Sequence, residues 1–270
     1  MIVSATPRLL SRREAQWIAE QASGGDLDVV PTKVAAAHFE LMVTRRAAGE
    51  PLQYVLGSWS FRELDLWVDG RVLIPRPETE QVVEHALAAA RALIDSGRAL
   101  RIADLGTGSG AIALSLAHEL PLGRAEIWAT DVSEDALAVA RANLAGLGRR
   151  GAAVRVARGE WFAALPADAR GTFDLIVSNP PYVADEEVLP IDVAQWEPAR
   201  ALYAGPTGLE AIEHIVRESA HWLAPDSVLV VEIGETQGDA VATLARAAGF
   251  TEVAIHQDLA ARDRIVTASR

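Results

Sequence analysis

No cysteine occurs anywhere in the 270 residues. Disulfides, thiolate zinc sites and cysteine nucleophiles are thereby excluded together, and a reducing compartment fits. Lysine is nearly missing as well: Lys33 is the only one, and the remaining positive charge is arginine. Lys and Arg number 25 against 37 Asp and Glu, a net charge of −12. Such a chain feels no general pull towards a phosphate backbone, so direct nucleic-acid binding is not expected. Long apolar runs are also lacking. The Ala-rich stretch 86–94 is too short to cross a bilayer and contains Arg91. Residues 1–14 carry Arg8, Arg12, Arg13 and Glu14 without the sustained apolar stretch of a signal peptide. We expect a cytoplasmic protein with no membrane partner. His38, His85, His118, His214, His221 and His256 are dispersed without metal-ligand spacing, so no metal site is expected.

What is present is apolar material: half the residues are hydrophobic, enough for one large core and a small satellite domain. Two textures meet near residues 50–80. Ser11-Arg12-Arg13-Glu14 reads as a capping box, followed by Ala15, Ile18, Ala19 and Ala22 at helical spacing, with Gly24-Gly25 as a stop. Pro31-Thr32 opens a second helical pattern through Val34, Ala37, His38, Leu41 and Met42, ending near Gly49. Residues 1–50 therefore read as a helical N-terminal domain. Residues 51–75 are rich in aromatic and branched residues, from Trp59 to Ile74, and Asp69-Gly70 is the hairpin signal among them. They read as a β-hairpin linker. Pro75-Arg76-Pro77-Glu78-Thr79-Glu80 then opens a helix running to about Leu93, with proline and acids in its first turn.

From residue 101 short apolar strands alternate with helix-length segments, and residues 76–270 read as one α/β domain. Strands fall at 101–105, 126–130, 153–157, 173–178 and 227–232, and helices at 111–120, 134–144 and 209–223. The alternation implies a mostly parallel sheet covered on both faces. The segments 252–256 and 264–268 have only a loop between them and must pair antiparallel. A parallel sheet ending in an antiparallel hairpin suits a class I methyltransferase, a Rossmann-like fold, better than a dinucleotide dehydrogenase.

The first strand ends in Asp104-Leu105-Gly106-Thr107-Gly108-Ser109-Gly110. Glycines here allow a tight turn and close approach of a ligand, beside the switch point of a doubly wound sheet. A pyrophosphate binder prefers G-x-G-x-x-G; this chain has G-x-G-x-G preceded by an acid. A carboxylate at Asp104 repels pyrophosphate but meets an ammonium group, directly or through water. That favours S-adenosylmethionine, with S-adenosylhomocysteine as product, over a dinucleotide. Asp131, at the second strand's tip, is placed to accept from ribose hydroxyls. Glu160 and Trp161 follow the third strand, where an acid and an aromatic suit an adenine; with Phe162 they read equally well as core.

Asn179-Pro180-Pro181-Tyr182 caps the fourth strand. Two prolines stiffen the backbone and remove two N–H donors. The Asn179 side-chain oxygen and the carbonyls of Asn179 and Pro180 form an acceptor set that grips both protons of an –NH₂ group. Tyr182 offers a face for a flat group. Amide and arylamine nitrogens are poor nucleophiles, and acceptors on their hydrogens stabilise the positive charge that develops on attack. The tetrapeptide fits a methyl transfer to a planar –NH₂ nitrogen, with Asn179, Pro180 and Tyr182 carrying the catalysis and Pro181 completing the substrate contacts. Two substrates remain open: a protein amide, or the amino group of adenine in a nucleic acid.

With these motifs and Gly49-Glu50-Pro51, Gly57, Phe61, the Leu73–Glu80 run, Glu197-Pro198 and Gly208-Leu209, the chain resembles the bacterial peptide chain release factor N5-glutamine methyltransferases from about Leu10 to the C-terminus. The run from Ile74 to Glu80 discriminates most, because Asn-Pro-Pro-Tyr also occurs in adenine-N6 DNA methyltransferases. The resemblance implies an enzyme acting in translation termination. Its substrate would be the glutamine of the Gly-Gly-Gln motif in class I release factors, its partner. It also implies that Gly106–Gly110, Asp131, Trp161 and Asn179 contact the cofactor. We expect a monomer. Three departures stand out: the helical domain is one or two helices short, Glu160 stands where Asp is usual, and Thr207 replaces a common Asp. For Arg76 and Glu78 we favour a structural role over substrate binding.

Overall fold

The computed structural model describes residues 10–25 and 32–270. Helix α1 (Arg12–Ser23) begins in the expected capping box, with Ser11 and Glu14 each bonding the other's backbone N–H. Gly24 closes it in the left-handed region at φ 72°. The Thr32 hydroxyl caps α2 (Lys33–Ala47); Pro31 lies outside the described residues. With α3 (Leu52–Leu56) these helices bury a small core of Ile18, Met42, Leu52 and Val55. Arg46, itself buried, joins α2 to α1 through Glu14 at 2.9 Å.

The expected hairpin forms, but one turn earlier than the Asp69-Gly70 signal. Strands β1 (Ser58–Phe61) and β2 (Leu64–Trp67) pair antiparallel about Arg62-Glu63. Arg62 sits at φ 52°, an unusual conformation for a residue with a side chain. Tertiary contacts hold it there: its N–H donates to Glu80 and its guanidinium pairs with Glu119 and Glu84. Asp69 instead accepts from the Arg71 N–H in a later turn. Helix α4 (Pro77–Asp95) starts at the expected proline.

The main sheet contains β3 (Leu100–Leu105), β4 (Ala125–Asp131), β5 (Val154–Arg158) and β6 (Phe173–Ser178). Between them come α5 (Ala111–Glu119) and α6 (Glu134–Gly146). A short parallel pair follows, β7 (Val183–Ala184) with β8 (Tyr203–Gly205), enclosing α7 (Ile191–Trp196) and α8 (Ala199–Leu202). Then come α9 (Glu210–Trp222), β9 (Leu223–Glu232), α10 (Gly238–Ala247), β10 (Glu252–Gln257) and β11 (Asp263–Ser269). The seven strands run in the order β10-β11-β9-β6-β3-β4-β5. Strands β5, β4, β3, β6 and β9 are parallel; β11 runs antiparallel to β9 and to β10.

Strand residues alternate between two cores. Ile102 packs with α4 and α5, whereas Ala103 and Leu105 pack with α9 and α10. The chain winds outward from β3 through β4 to β5, then returns to place β6 on the other side of β3. The order reverses there, and Leu105 pairs with Ser178. Gly106 and Asn179 therefore leave the sheet side by side. Among the described residues no helix is long and apolar enough to cross a membrane. The histidines, dispersed in sequence, include one pair that meets in space: His85 and His256 stack with centroids 4.0 Å apart.

Candidate active site

Gly106, Gly108 and Gly110 sit at φ 74°, 56° and 89°, so the β3–α5 turn uses a backbone that other residues enter only with strain. The glycines do different work. Gly106 runs under the Trp161 ring, 3.3 Å from where a Cβ would stand. Gly110 begins α5, and a Cβ there would meet Leu114 at 2.9 Å. Gly106, Thr107, Gly108 and Ser109 line a cavity of about 1340 Å³; Gly110 does not. Asp131, Glu160 and Trp161 also line it, as do Asn179 and Pro181.

Asp104 lies behind this loop, fully buried, and is not part of the cavity wall. Its Oδ2 accepts from the Thr107 hydroxyl at 2.6 Å and the Ala113 N–H at 3.1 Å. Burial pushes its carboxyl up to about 7 against those bonds. Through Oδ2 the side chain shapes the loop, while Oδ1 is buried without a hydrogen-bond partner. Asp131 is different. Its carboxylate accepts from the Gly108 and Ser133 N–H groups at 3.0 and 2.9 Å, which fixes it in the cavity wall. Burial raises its pKa, with those N–H groups opposing.

Trp161 sits at φ 45° and packs over Gly106, whereas Phe162 turns inward and stacks on Trp222 at 5.6 Å. Both aromatics that the sequence left ambiguous line the cavity and pack on the same core, Phe162 the deeper of the two. A cavity this size exceeds the roughly 300–1,000 Å³ of a typical small-molecule site. Its wall combines a glycine-rich loop, a carboxylate at a strand tip and an indole. That donor set fits a nucleoside carrying an amino-acid tail.

A second cavity of about 350 Å³ lies beyond, lined by Arg76, Glu78, Tyr182, Glu232 and Arg264 among others. Asn179 belongs to both walls, so it stands where the two spaces meet. Pro180, expected among the catalytic and substrate contacts, is buried and lines neither. The Asn179 Nδ2 donates to the Thr79 hydroxyl at 3.0 Å, and Thr79 donates to Glu232 Oε2 at 2.7 Å. The Tyr182 hydroxyl donates to Glu232 Oε1 at 3.3 Å. Burial lifts the Glu232 carboxyl to about 7, and burial beside that carboxylate raises the Tyr182 hydroxyl. Gly208, at φ 77°, passes so close that a Cβ would stand 2.6 Å from the Tyr182 carbonyl. Gln237 bonds that carbonyl and the Gly208 carbonyl together, both at 3.1 Å.

Thr79 and Glu232 escaped the sequence reading as site residues. Thr79 lay in plain view inside the Ile74–Glu80 run, whose members are each employed. Ile74 N–H donates to Glu197 at 3.1 Å, and Arg76 pairs with the same carboxylate. Glu78 meets Arg262 of the β10–β11 turn at 3.3 Å, and Glu80 accepts from Arg62. Arg76 and Glu78 thus tie α4 to its neighbours, although both also border the smaller cavity.

Two family models match separate stretches of the chain. Residues 85–195 match the family model described as "Methyltransferase small domain", and residues 10–57 the one described as "PrmC N-terminal domain". In the solved structures, a methyltransferase from Pyrococcus furiosus aligns with a TM-score of 0.55 at 17% identity. The alignment covers 77% of this chain and 90% of that one, a likeness of fold. A release factor glutamine methyltransferase of Moorella thermoacetica is 43% identical over 98% of this chain and 86% of its own length. The protein of that name from Streptomyces coelicolor is 38% identical over 100% of this chain and 96% of its own. With identity of that order over nearly the whole length, this chain belongs to the release factor glutamine methyltransferase family.

Proposed function

We propose that this enzyme transfers the methyl group of S-adenosylmethionine to the N5 amide nitrogen of the glutamine in the Gly-Gly-Gln motif of class I release factors. The observation that carries the reading is Asn179, standing between a cavity of cofactor size and a smaller one that suits a side chain. In this reading Gly106–Ser109, Asp131, Glu160 and Trp161 hold the cofactor, with Gly110 setting the turn. When bound, S-adenosylmethionine supplies an electrophilic methyl on sulfonium sulfur and departs as S-adenosylhomocysteine. The chain's own task is positioning and charge stabilisation. Asn179 Oδ1 and a backbone carbonyl of Asn179-Pro180 accept the two amide protons, which orients the nitrogen lone pair and stabilises positive charge as the N–C bond forms. Tyr182 and Pro181 bracket the flat amide. The nitrogen sheds one proton to water after transfer, so no strong base is required beforehand.

The alternative is an adenine-N6 nucleic-acid methyltransferase, which shares this chemistry. It needs a positive surface for the backbone, and the net charge of −12 supports the protein substrate instead. A release factor as partner also fits an enzyme of the cytoplasm. The test is direct: purified enzyme, S-adenosylmethionine and a class I release factor, with the methyl mapped by tandem mass spectrometry to the motif's glutamine.

A further inference from the structure

The two ends of the tetrapeptide, Asn179 and Tyr182, converge on one buried carboxylate from a different strand, and the geometry points to a role for it. We propose that Glu232, acting through the Thr79 hydroxyl, fixes which way round the Asn179 amide sits. Its oxygen, rather than its –NH₂, then meets the substrate nitrogen. The inference rests on the glutamine-methylation reading above.

An asparagine amide is nearly symmetric in shape, so hydrogen bonds alone decide its orientation. Here the decision passes along a chain with one polarity. An ionised Glu232 only accepts. Thr79 has a single hydroxyl proton, and at 2.7 Å that proton goes to Glu232 Oε2. The Thr79 oxygen can then only accept, and it takes an N–H from Asn179 Nδ2 at 3.0 Å. Oδ1 is thereby left to face the cavities. Turned over, Asn179 would set Oδ1 against an oxygen whose proton is already committed, and would offer –NH₂ to another –NH₂. The other carboxylate oxygen takes the Tyr182 hydroxyl, so one group orients both ends of the loop. Thr79 and Glu232 are 4% and 1% exposed, so water does not compete for these bonds.

Groups from each neighbouring element face Glu232. Thr79 and Glu78 come from α4, Tyr182 from the loop after β6, and Arg264 from β11. Burial favours the neutral carboxyl, Glu78 reinforces it, and Thr79, Tyr182 and Arg264 oppose. Protonated, Glu232 gains a proton to donate to Thr79, which frees the Thr79 hydroxyl to donate to Asn179 and allows the amide to turn. Glu232 is thus a positioning residue whose charge state matters.

The test pairs Glu232→Gln, nearly the same shape, with Thr79→Val and Thr79→Ser. The Gln and Val variants should lower kcat on the release factor by about tenfold to a hundredfold, because the acceptor set is no longer preorganised. KM and calorimetric cofactor affinity should change far less. Thr79→Ser, which keeps the hydroxyl, should recover most of the rate. Wild-type kcat should fall as pH drops below about 7, and Glu232→Gln should lose that limb. Independently of turnover, one side-chain amide proton of Asn179 should exchange slowly by NMR in the wild type and rapidly in both impaired variants. Wild-type kcat in Glu232→Gln, or equal impairment by Ser and Val at position 79, would overturn the relay. An inactive wild type that still protects the Asn179 proton would instead sink the substrate reading and leave the relay standing.

Discussion

Asn179 borders both cavities, so its contributions to rate and to cofactor binding can be separated by measurement. Replacing it with alanine removes one acceptor from the nucleophile while leaving Gly106–Ser109, Asp131 and Trp161 in place. We expect Asn179→Ala to reduce kcat by about 10²–10³-fold with cofactor affinity largely kept in calorimetry. Affinity lost in proportion to rate would make Asn179 chiefly a cofactor residue. Gly110 tests the loop differently, because it shapes the turn without lining the cavity. Gly110→Ala forces a side chain into the left-handed region and against Leu114. The strain costs about 1–2 kcal/mol, seen as a melting temperature lower by about 2–8 °C. An unchanged melting temperature would mean the loop has another conformation available.

Among the elements, the start of α4 couples the N-terminal half of the chain to the reactive loop. Glu197, 5% exposed, accepts from the Ile74 N–H and pairs with Arg76. Glu197→Ala leaves both donors without this partner and should cost about 1.5–3 kcal/mol, read as a lower denaturant midpoint and faster hydrogen exchange across residues 185–199. Unaltered exchange there would show that the strap holds nothing. The regular elements were legible in the sequence because burial pattern and spacing agree: Phe173, Leu175, Ile176 and Val177 form an apolar run because β6 is buried along its whole length. The hairpin turn was misplaced because Arg62 is held by Glu80, Glu84 and Glu119, partners 18 to 57 residues away, rather than by local turn chemistry. Helices α3, α7, α8 and α10 and the short β7–β8 pair were missed, α3 inside the stretch 51–75 read as a β-hairpin linker and the pair because two- and three-residue strands carry no period. In the candidate site, residues whose type signals chemistry could be read directly. Glu232 could not, because it reads as the polar end of an apolar strand until Thr79, 153 positions away, is brought against it.

Among the described residues, the carboxyls of Asp104 and Glu232 are buried and both are lifted to about 7 by that burial. Unfolded, each returns to the ordinary range near 4. Between those values the folded state holds more protons than the unfolded one, so these groups reduce stability as pH rises from about 4 to about 7, and the full penalty remains above that. Asp104→Asn removes one of them. Its melting temperature relative to wild type should therefore be more favourable at pH 8 than at pH 5; parallel curves would mean Asp104 does not titrate in that window. The net charge of −12 acts at the same scale and supplies no general attraction to a phosphate backbone, which is why the proposed reading takes a protein amide as substrate. The claim on which everything else rests is the identity of the methylated atom. Incubation of the enzyme with S-adenosylmethionine, a class I release factor and a DNA and RNA control, followed by tandem mass spectrometry, reads it directly. The account predicts one added methyl on the side-chain nitrogen of the Gly-Gly-Gln glutamine and none on the nucleic acids; methyl on DNA or RNA with an unmodified release factor would contradict it.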